Sequence, residues 1–420
     1  MTLNDPPTLT PLDALFVAQQ RRLGAPTTCG ALVRLGGEPP TVEELAKAMA
    51  GRSFLEHPRM RAVLDTRSGR ARWRTTGPVD PLDHISVIQT GPGEEALRRV
   101  FADLLARRID GTCPPWRMDL VTGYSTEEFS LIIRFDHALG DGVSAGLVLL
   151  ELATGTTIAS MDAPVPVRGS LRGLVSALWS FRVPGPSLPI NRRIGPGRHV
   201  AWARVPREVA EAARDVPTPL GRPTLNDVYL AAVAGALRRV LTCSGGGRRP
   251  PRRAFGLVPV DLRAPGRELS LGNCLSVMRV PLPLREPDPA ARMAAVRAAV
   301  AAAQRRGHAP ALALLARGAG LAGLTGSALL VRLLYHPRLV NLICSNIPIP
   351  DGRHTFLGRP VLDVCATTIL PGRHGLSLGL HGYADMVTVT IVADAAMADT
   401  ADLLARELEN EFYALAGPPA

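Results

Sequence analysis

The sequence predicts an α/β protein, and three groups of residues predict it. Leu97, Val100, Phe101, Leu104 and Leu105 recur at helical spacing, with Glu94 and Glu95 before them and Arg107 and Arg108 after, the order a helix dipole prefers. Phe129, Leu131, Ile133 and Phe135 alternate with period two and mark a strand with one apolar face. The second half repeats the mixture, with strands expected at 255–260, 276–281, 339–345 and 387–392 and helices at 225–241, 289–304 and 400–415. A chain of 420 residues has room for two such bodies, each with its own core.

The crossing between them falls where prolines cluster, at Pro164, Pro166, Pro184, Pro186, Pro189 and Pro196. The expected division is therefore an N-terminal domain over 1–163, a crossover linker over 164–200 and a C-terminal domain over 201–420. A second Gly/Arg/Pro cluster, 245–253, reads as an exposed loop. The apolar stretch 309–335 is broken by Arg317 and Arg332, which leave 14 residues between them. A spanning helix needs about 20. A buried helix of the core or of a tunnel wall is expected there ahead of a membrane-surface helix.

Composition narrows the function classes. The hydrophobic share of 46% marks a folded chain, and the net charge of +11 comes from 48 basic residues of which only Lys47 is a lysine. Aromatics amount to 4% and do not interleave with pairs such as Arg98–Arg99, Arg238–Arg239 or Arg305–Arg306, so nucleic acid is not an expected partner. An excess so dominated by arginine is read first as the codon usage of a GC-rich genome on solvated helix faces, and as partners a phosphate-bearing substrate or an anionic lipid surface remain. Six cysteines without a C-x-x-C pair point to no metal site and no redox motif. The N-terminal residues lack a basic-plus-apolar leader pattern, which makes a cytoplasmic location the expectation, with peripheral membrane contact as its variant.

The chemistry concentrates in Asp136-His137-Ala138-Leu139-Gly140-Asp141-Gly142. Carrying the alternation past the strand puts His137 on the face of Leu131, Ile133 and Phe135, and Asp136 on the opposite face with Ile132 and Arg134. Gly140-Asp141-Gly142 turns the chain into an apolar helix over 143–153. A histidine ending a strand beside a tight turn suits a general base, since an ordinary pKa of ~6.5 lets it take and return a proton near neutrality. Asp141 is placed to accept a charged hydrogen bond or to hold the loop.

Here the chain resembles the bacterial wax ester synthase/diacylglycerol acyltransferase family, whose motif reads His-His-x-x-x-Asp-Gly. Further blocks carry the resemblance in family order: Pro11–Phe16, Pro115–Met118, Asn226-Asp227-Val228, Val258–Arg263, Gly272–Ser276 and Ser345–Pro348. The resemblance implies two similar chloramphenicol acetyltransferase-like α/β domains with a substrate tunnel between them. It implies His137 as the base that activates a hydroxyl acceptor, such as a long-chain alcohol or diacylglycerol, against the thioester of acyl-CoA. Acyl-CoA is then a co-substrate, and no bound cofactor or metal is called for. By analogy with related acyltransferases Asp141 would bridge to Arg263. Gly142, Asn226 and Asp227 would support the site, the last two equally well as a helix cap, and Gly272, Asn273 and Ser276 would line the tunnel.

The departures from the family are Asp136 in place of the motif's first histidine and a short crossover after Thr157. A carboxylate beside His137 could raise its pKa or attract a cation. These departures keep open a specialised-metabolite O- or N-acyltransferase fed by CoA or by an acyl carrier protein, and a non-catalytic lipid-binding protein.

Overall fold

The structure, a computed structural model, describes residues 7, 9–65, 71–159, 169–244 and 249–417. Two six-stranded mixed sheets organise it. The first runs β11 (Thr355–Phe356), β12 (Arg359–Ala366), β1 (Thr28–Gly36), β6 (Glu128–Asp136), β5 (Trp116–Thr122) and β4 (Ile85–Gln89). The second runs β7 (Arg198–Pro206), β14 (Met386–Asp394), β13 (Leu376–Tyr383), β10 (Leu342–Asn346), β8 (Ala254–Asp261) and β9 (Leu275–Leu282). A hairpin of β2 (Ala62–Asp65) and β3 (Arg72–Thr75) stands apart.

Each periodic segment of the sequence lies within a residue or a few of an element. The strand expected at 129–135 is β6, and the flanking helices are α4 (Glu94–Ala106) and α5 (Gly142–Thr154). In the second half the expected helices are α8 (Leu225–Ser244), α9 (Pro289–Arg305) and α12 (Ala398–Ala416). Buried side chains of these three helices form the largest core cluster with the second sheet. β6 sits at the centre of the first sheet and sorts its side chains by alternation. Phe129, Leu131 and Phe135 join the core beneath α5, whereas Ile132 packs with Leu97 and Phe101 of α4 on the other face.

The chain does not divide cleanly at residue 200. β11 and β12 leave the C-terminal half and complete the first sheet, where Ala366 pairs with Ala31 and Val364 with Val33. The helix α1 (Pro11–Leu23) packs in the opposite sense, against α10 (His308–Leu321) and α11 (Gly323–Leu334). Within the crossover lies a helix not expected there, α6 (Leu171–Phe181), capped by the Ser170 side chain on the Gly173 N–H. It fits because no proline interrupts the run between Pro166 and Pro184. The crossover then ends early, β7 beginning at Arg198. Residues 160–168, the end of the expected N-terminal domain and the start of the linker, and residues 245–248 of the expected loop lie outside the described residues. The stretch 309–335 forms α10 and α11 with one side buried, and among the described residues no helix is long and apolar enough to cross a membrane.

Candidate active site

His137 is the first residue after β6 and is held by its backbone: its N–H donates to the Thr27 carbonyl at 3.0 Å. Its ring stacks on Phe16 of α1 at 4.0 Å between centroids, and the residue is buried. The ring faces a small cavity whose wall comes from both halves of the chain. Cys29 and Gly30 of β1 and Gly142, Ala145 and Gly146 of α5 form one side, and Ser345, Ile347, Thr367 and Thr368 the other.

Two glycines of α5 allow that junction to close. A Cβ on Gly142 would lie 3.2 Å from the Ile347 side chain, and one on Gly146 would lie 2.7 Å from the Pro348 carbonyl. The Ser345-Asn346-Ile347-Pro348 segment can thus lie directly on the first turns of α5. Behind the ring, two more apolar cavities adjoin the first. One of about 40 Å³ is lined by Phe54, Met118, Ile133, Phe135 and Val148, and the other, of about 50 Å³, by Leu131, Ile133, Leu149, Phe356 and Tyr383. Three small spaces thus lie along α5 and β6. Phe135, Ala145 and Leu149 each line two of them.

The turn after His137 is fixed by buried charge. Asp141 caps α5 by accepting from the Ser144 N–H at 2.9 Å, and it also accepts from the Cys274 N–H at 2.9 Å. Arg263 grips both carboxylate oxygens at 2.9 and 3.1 Å, the bidentate geometry of a strong charged pair. Burial pushes the Asp141 carboxyl up, but Arg263 and the N–H donors outweigh it and hold it below the usual carboxylate range. The Asp141–Arg263 bridge that the resemblance implies is therefore present, and its work is to hold the loop.

A second buried pair, which the sequence did not disclose, supports the same turn from below. Asp13, inside the Pro11–Phe16 block, bonds Arg59 at 3.0 Å with both side chains fully buried. Arg59 reaches the carbonyls of Ala138 and Leu139 at 3.4 and 3.3 Å. Asn273 joins the network by donating to the Asp13 carboxylate at 2.9 Å and to the His137 carbonyl at 2.8 Å. A Thr-x-x-Asp start to α1 signalled only the helix cap that Asp13 also forms.

Asp136 points away from the ring, as strand alternation requires. Its carboxylate accepts from Thr27 Oγ1 at 2.9 Å, Gln20 Nε2 at 3.1 Å and the Ala138 N–H at 2.9 Å. The carboxylate is thus used in the turn and does not face the cavity. Its charge does pull the His137 pKa upward, as expected, but it does not decide the net shift. Burial lowers that pKa and outweighs the opposing pull of the histidine's own carbonyl, of Asp141 and of Asp136. His137 is therefore neutral near neutral pH, the form a base needs.

Residues 9–168 match the wax ester synthase/diacylglycerol acyltransferase catalytic domain, and residues 271–416 match the C-terminal domain of the same family. The chain belongs to this family. A probable diacylglycerol O-acyltransferase of Mycobacterium tuberculosis is 27% identical over 96% of this chain and 94% of its own. A putative diacylglycerol O-acyltransferase of Mycobacterium bovis is 28% identical over 84% of this chain and 78% of its own. Among solved structures, the wax ester synthase/diacylglycerol acyltransferase from Marinobacter aquaeolei VT8 superposes with a TM-score of 0.69 at 21% identity, covering 97% of this chain and 98% of that one. The first condensation domain of the calcium-dependent antibiotic synthetase shares the fold, with a TM-score of 0.70 at 16% identity over 99% of this chain and 98% of its own. This member of the wax ester synthase/diacylglycerol acyltransferase family is an acyl-CoA-dependent acyltransferase.

The remaining residues that the resemblance singles out take structural positions. Gly272, at φ +103°, supplies a carbonyl to Ser144 and Arg263 and so belongs to the Asp141 cluster. Ser276 spends its hydroxyl on the Ala309 carbonyl at 2.6 Å. Asp227 forms a capping box with Thr224 at the start of α8 and pairs with Arg297 at 2.8 Å, and Asn226 lies beside it with its Oδ1 buried and unpartnered. None of these five residues, Asn273 included, lines the cavity at His137. Of the polar groups that do line it on the C-terminal side, Ser345 lies in the Ser345–Pro348 block, whereas Thr367 and Thr368 were not singled out, because a lone hydroxyl carries no local pattern.

Proposed function

We propose that this acyltransferase esterifies a lipid hydroxyl, that of a long-chain alcohol or a diacylglycerol, with His137 as general base. The observation that carries this reading is the buried, neutral His137 ring in a cavity walled by both halves and backed by apolar space. The ring accepts the acceptor's hydroxyl proton as that oxygen attacks the thioester carbon. The tetrahedral oxyanion then collapses, the C–S bond breaks, and the thiolate of CoA recovers the proton from the imidazolium. No covalent acyl-enzyme forms along this route. Ser345 and Thr368, which line the same cavity, are the donors placed to meet the developing oxyanion. Asp141, Asp136 and Asn273 act by holding the turn that carries the base. The protein works in the cytoplasm at a lipid surface, where acceptors of this class reside.

The test is thiol release from an acyl-CoA chain-length series given with long-chain alcohols, diacylglycerol, amines or an acyl carrier protein thioester as competitor. His137→Ala is expected to lower turnover by about 10²–10⁴-fold while the thermal midpoint stays close to wild type. Equal, measurable turnover by both proteins would remove His137 from the chemistry. Turnover with amines and not with hydroxyls would replace the acceptor class.

A further inference from the structure

The face of the molecule built by α6, α10 and α11 has an unusual combination of exposed apolar side chains and unpaired arginine. α6 presents Leu171, Val175, Leu178 and Trp179 to solvent, at 77, 57, 42 and 63% exposure. Their spacing of four, seven and eight residues draws one stripe along the helix. The opposite face is anchored, with Ala177 packed on Ala311 and Leu312 of α10 and Ser176 bonded to His308 at 3.0 Å. Arg279 of β9 fixes the end of α6 by donating to the Ser180 and Val183 carbonyls. The stripe is therefore the outer side of a docked helix. Next to α10 in turn, α11 exposes Leu329 and Leu333, and Leu321 at the end of α10 is 89% exposed.

The segments that contribute this layer carry charge of one sign. No Asp or Glu occurs between Asp162 and Glu208 or between Asp288 and Asp351, 107 residues in which the chain average of 37 in 420 would place about nine. The same two segments hold fifteen arginines. Arg172, Arg182, Arg306, Arg317 and Arg332 are exposed there and form no ion pair among the described residues. A groove of about 730 Å³ between α6 and the start of α10 brings Arg172, Arg306 and His308 beside Leu171, Val175 and Trp179.

We propose that this face docks on an anionic phospholipid surface, the α6 stripe entering the acyl boundary while the arginines, Arg172 and Arg306 foremost, pair with headgroup phosphates. Aliphatic residues and tryptophan beside arginine are the chemistry of an interfacial helix. An acidic protein would match the arginines and leave Leu171, Trp179 and Leu321 without a partner of their kind. The proposal deepens the lipid-acceptor reading, but its test contains neither acyl-CoA nor acceptor, so its failure leaves the chemistry of His137 untouched.

Trp179 reports the event on its own, because Trp73, Trp116 and Trp202 are buried. The full chain is mixed with vesicles of phosphatidylcholine alone or with phosphatidylglycerol, and both flotation and tryptophan emission are followed. Expected are co-flotation with the anionic vesicles, a blue shift of the emission, and weakening of both by salt. A Leu171→Ser, Val175→Ser, Leu178→Ser variant, checked for wild-type circular dichroism, should bind at least tenfold more weakly, as should Arg172→Gln with Arg306→Gln. Failure to float with anionic vesicles, equal binding to neutral ones, or flotation that neither variant weakens would overturn the proposal. So would an emission shift caused by a purified acyl carrier protein and not by vesicles.

Discussion

The two sides of His137 are built on opposite plans. Its backbone side is held by buried polar groups: Arg59 (itself paired with Asp13), Asn273 and Asp136 bond the carbonyls of residues 137–139 and the Ala138 N–H, and the Asp141–Arg263 pair fixes the end of the turn. Its ring side meets a cavity lined by Ser345, Thr367, Thr368 and apolar side chains. Buried charge is poor at adding stability but good at forbidding alternatives, since either partner alone is costly. The contrast shows a division of labour in which one side fixes where the base stands and the other keeps it unbound and neutral.

The comparison can be broken most forcefully at Arg263. Arg263→Met leaves Asp141 buried and unpaired, which should cost about 3–5 kcal/mol, read in the urea midpoint. Adding Asp141→Asn to that variant should restore part of the loss, and a double variant no more stable than the single would show that the pair does not hold the loop. Arg59→Met attacks the lower support in the same way. A loss of about 3 kcal/mol is expected, because Asp13 keeps the Asn273 amide and the Thr10 N–H as partners. On the ring side the expected effect is a displacement in pH. The active form is the neutral imidazole and burial lowers its pKa, so the acid limb of kcat/KM should lie below the ordinary histidine value of ~6.5. A limb at or above that value would mean that the neighbouring carboxylates prevail over burial. The smallest effect belongs to Asp136→Asn, which keeps an acceptor for the Ala138 N–H. A change within about 1 kcal/mol in stability and a small downward shift of the acid limb are expected, because the Asp136 charge favours the imidazolium, and an unmoved profile would show that this charge does not reach the ring.

Much of this was legible in the chain itself. Alternation through Phe129–Phe135 correctly gave the two faces of β6 and so the opposite aims of Asp136 and His137, because a strand's period is a local property. The apolar periods of α4, α8, α9 and α12 were legible for the same reason. α6 was hidden by the prolines on either side of it, whose density in the crossover outweighed eleven uninterrupted residues. The Asp13–Arg59 pair joins residues 46 apart that carry no shared motif. Which charges become buried together depends on how distant elements pack, and so does the choice of β12 as the partner of β1.

That last pairing bears on how the protein comes to exist. β1 and β12 meet across more than three hundred residues, and the Thr367 N–H closes the seam on the Gly30 carbonyl at 2.8 Å. During synthesis the first sheet must therefore wait, its β1 edge unpaired, until almost the whole chain has left the ribosome. An unpaired edge of this kind, rich in Leu32, Val33 and Leu35, invites another chain to add to it. Nascent chains of this protein are thus exposed to misassembly for longer than the local order of their helices suggests, and a fragment ending before residue 355 keeps that edge for good.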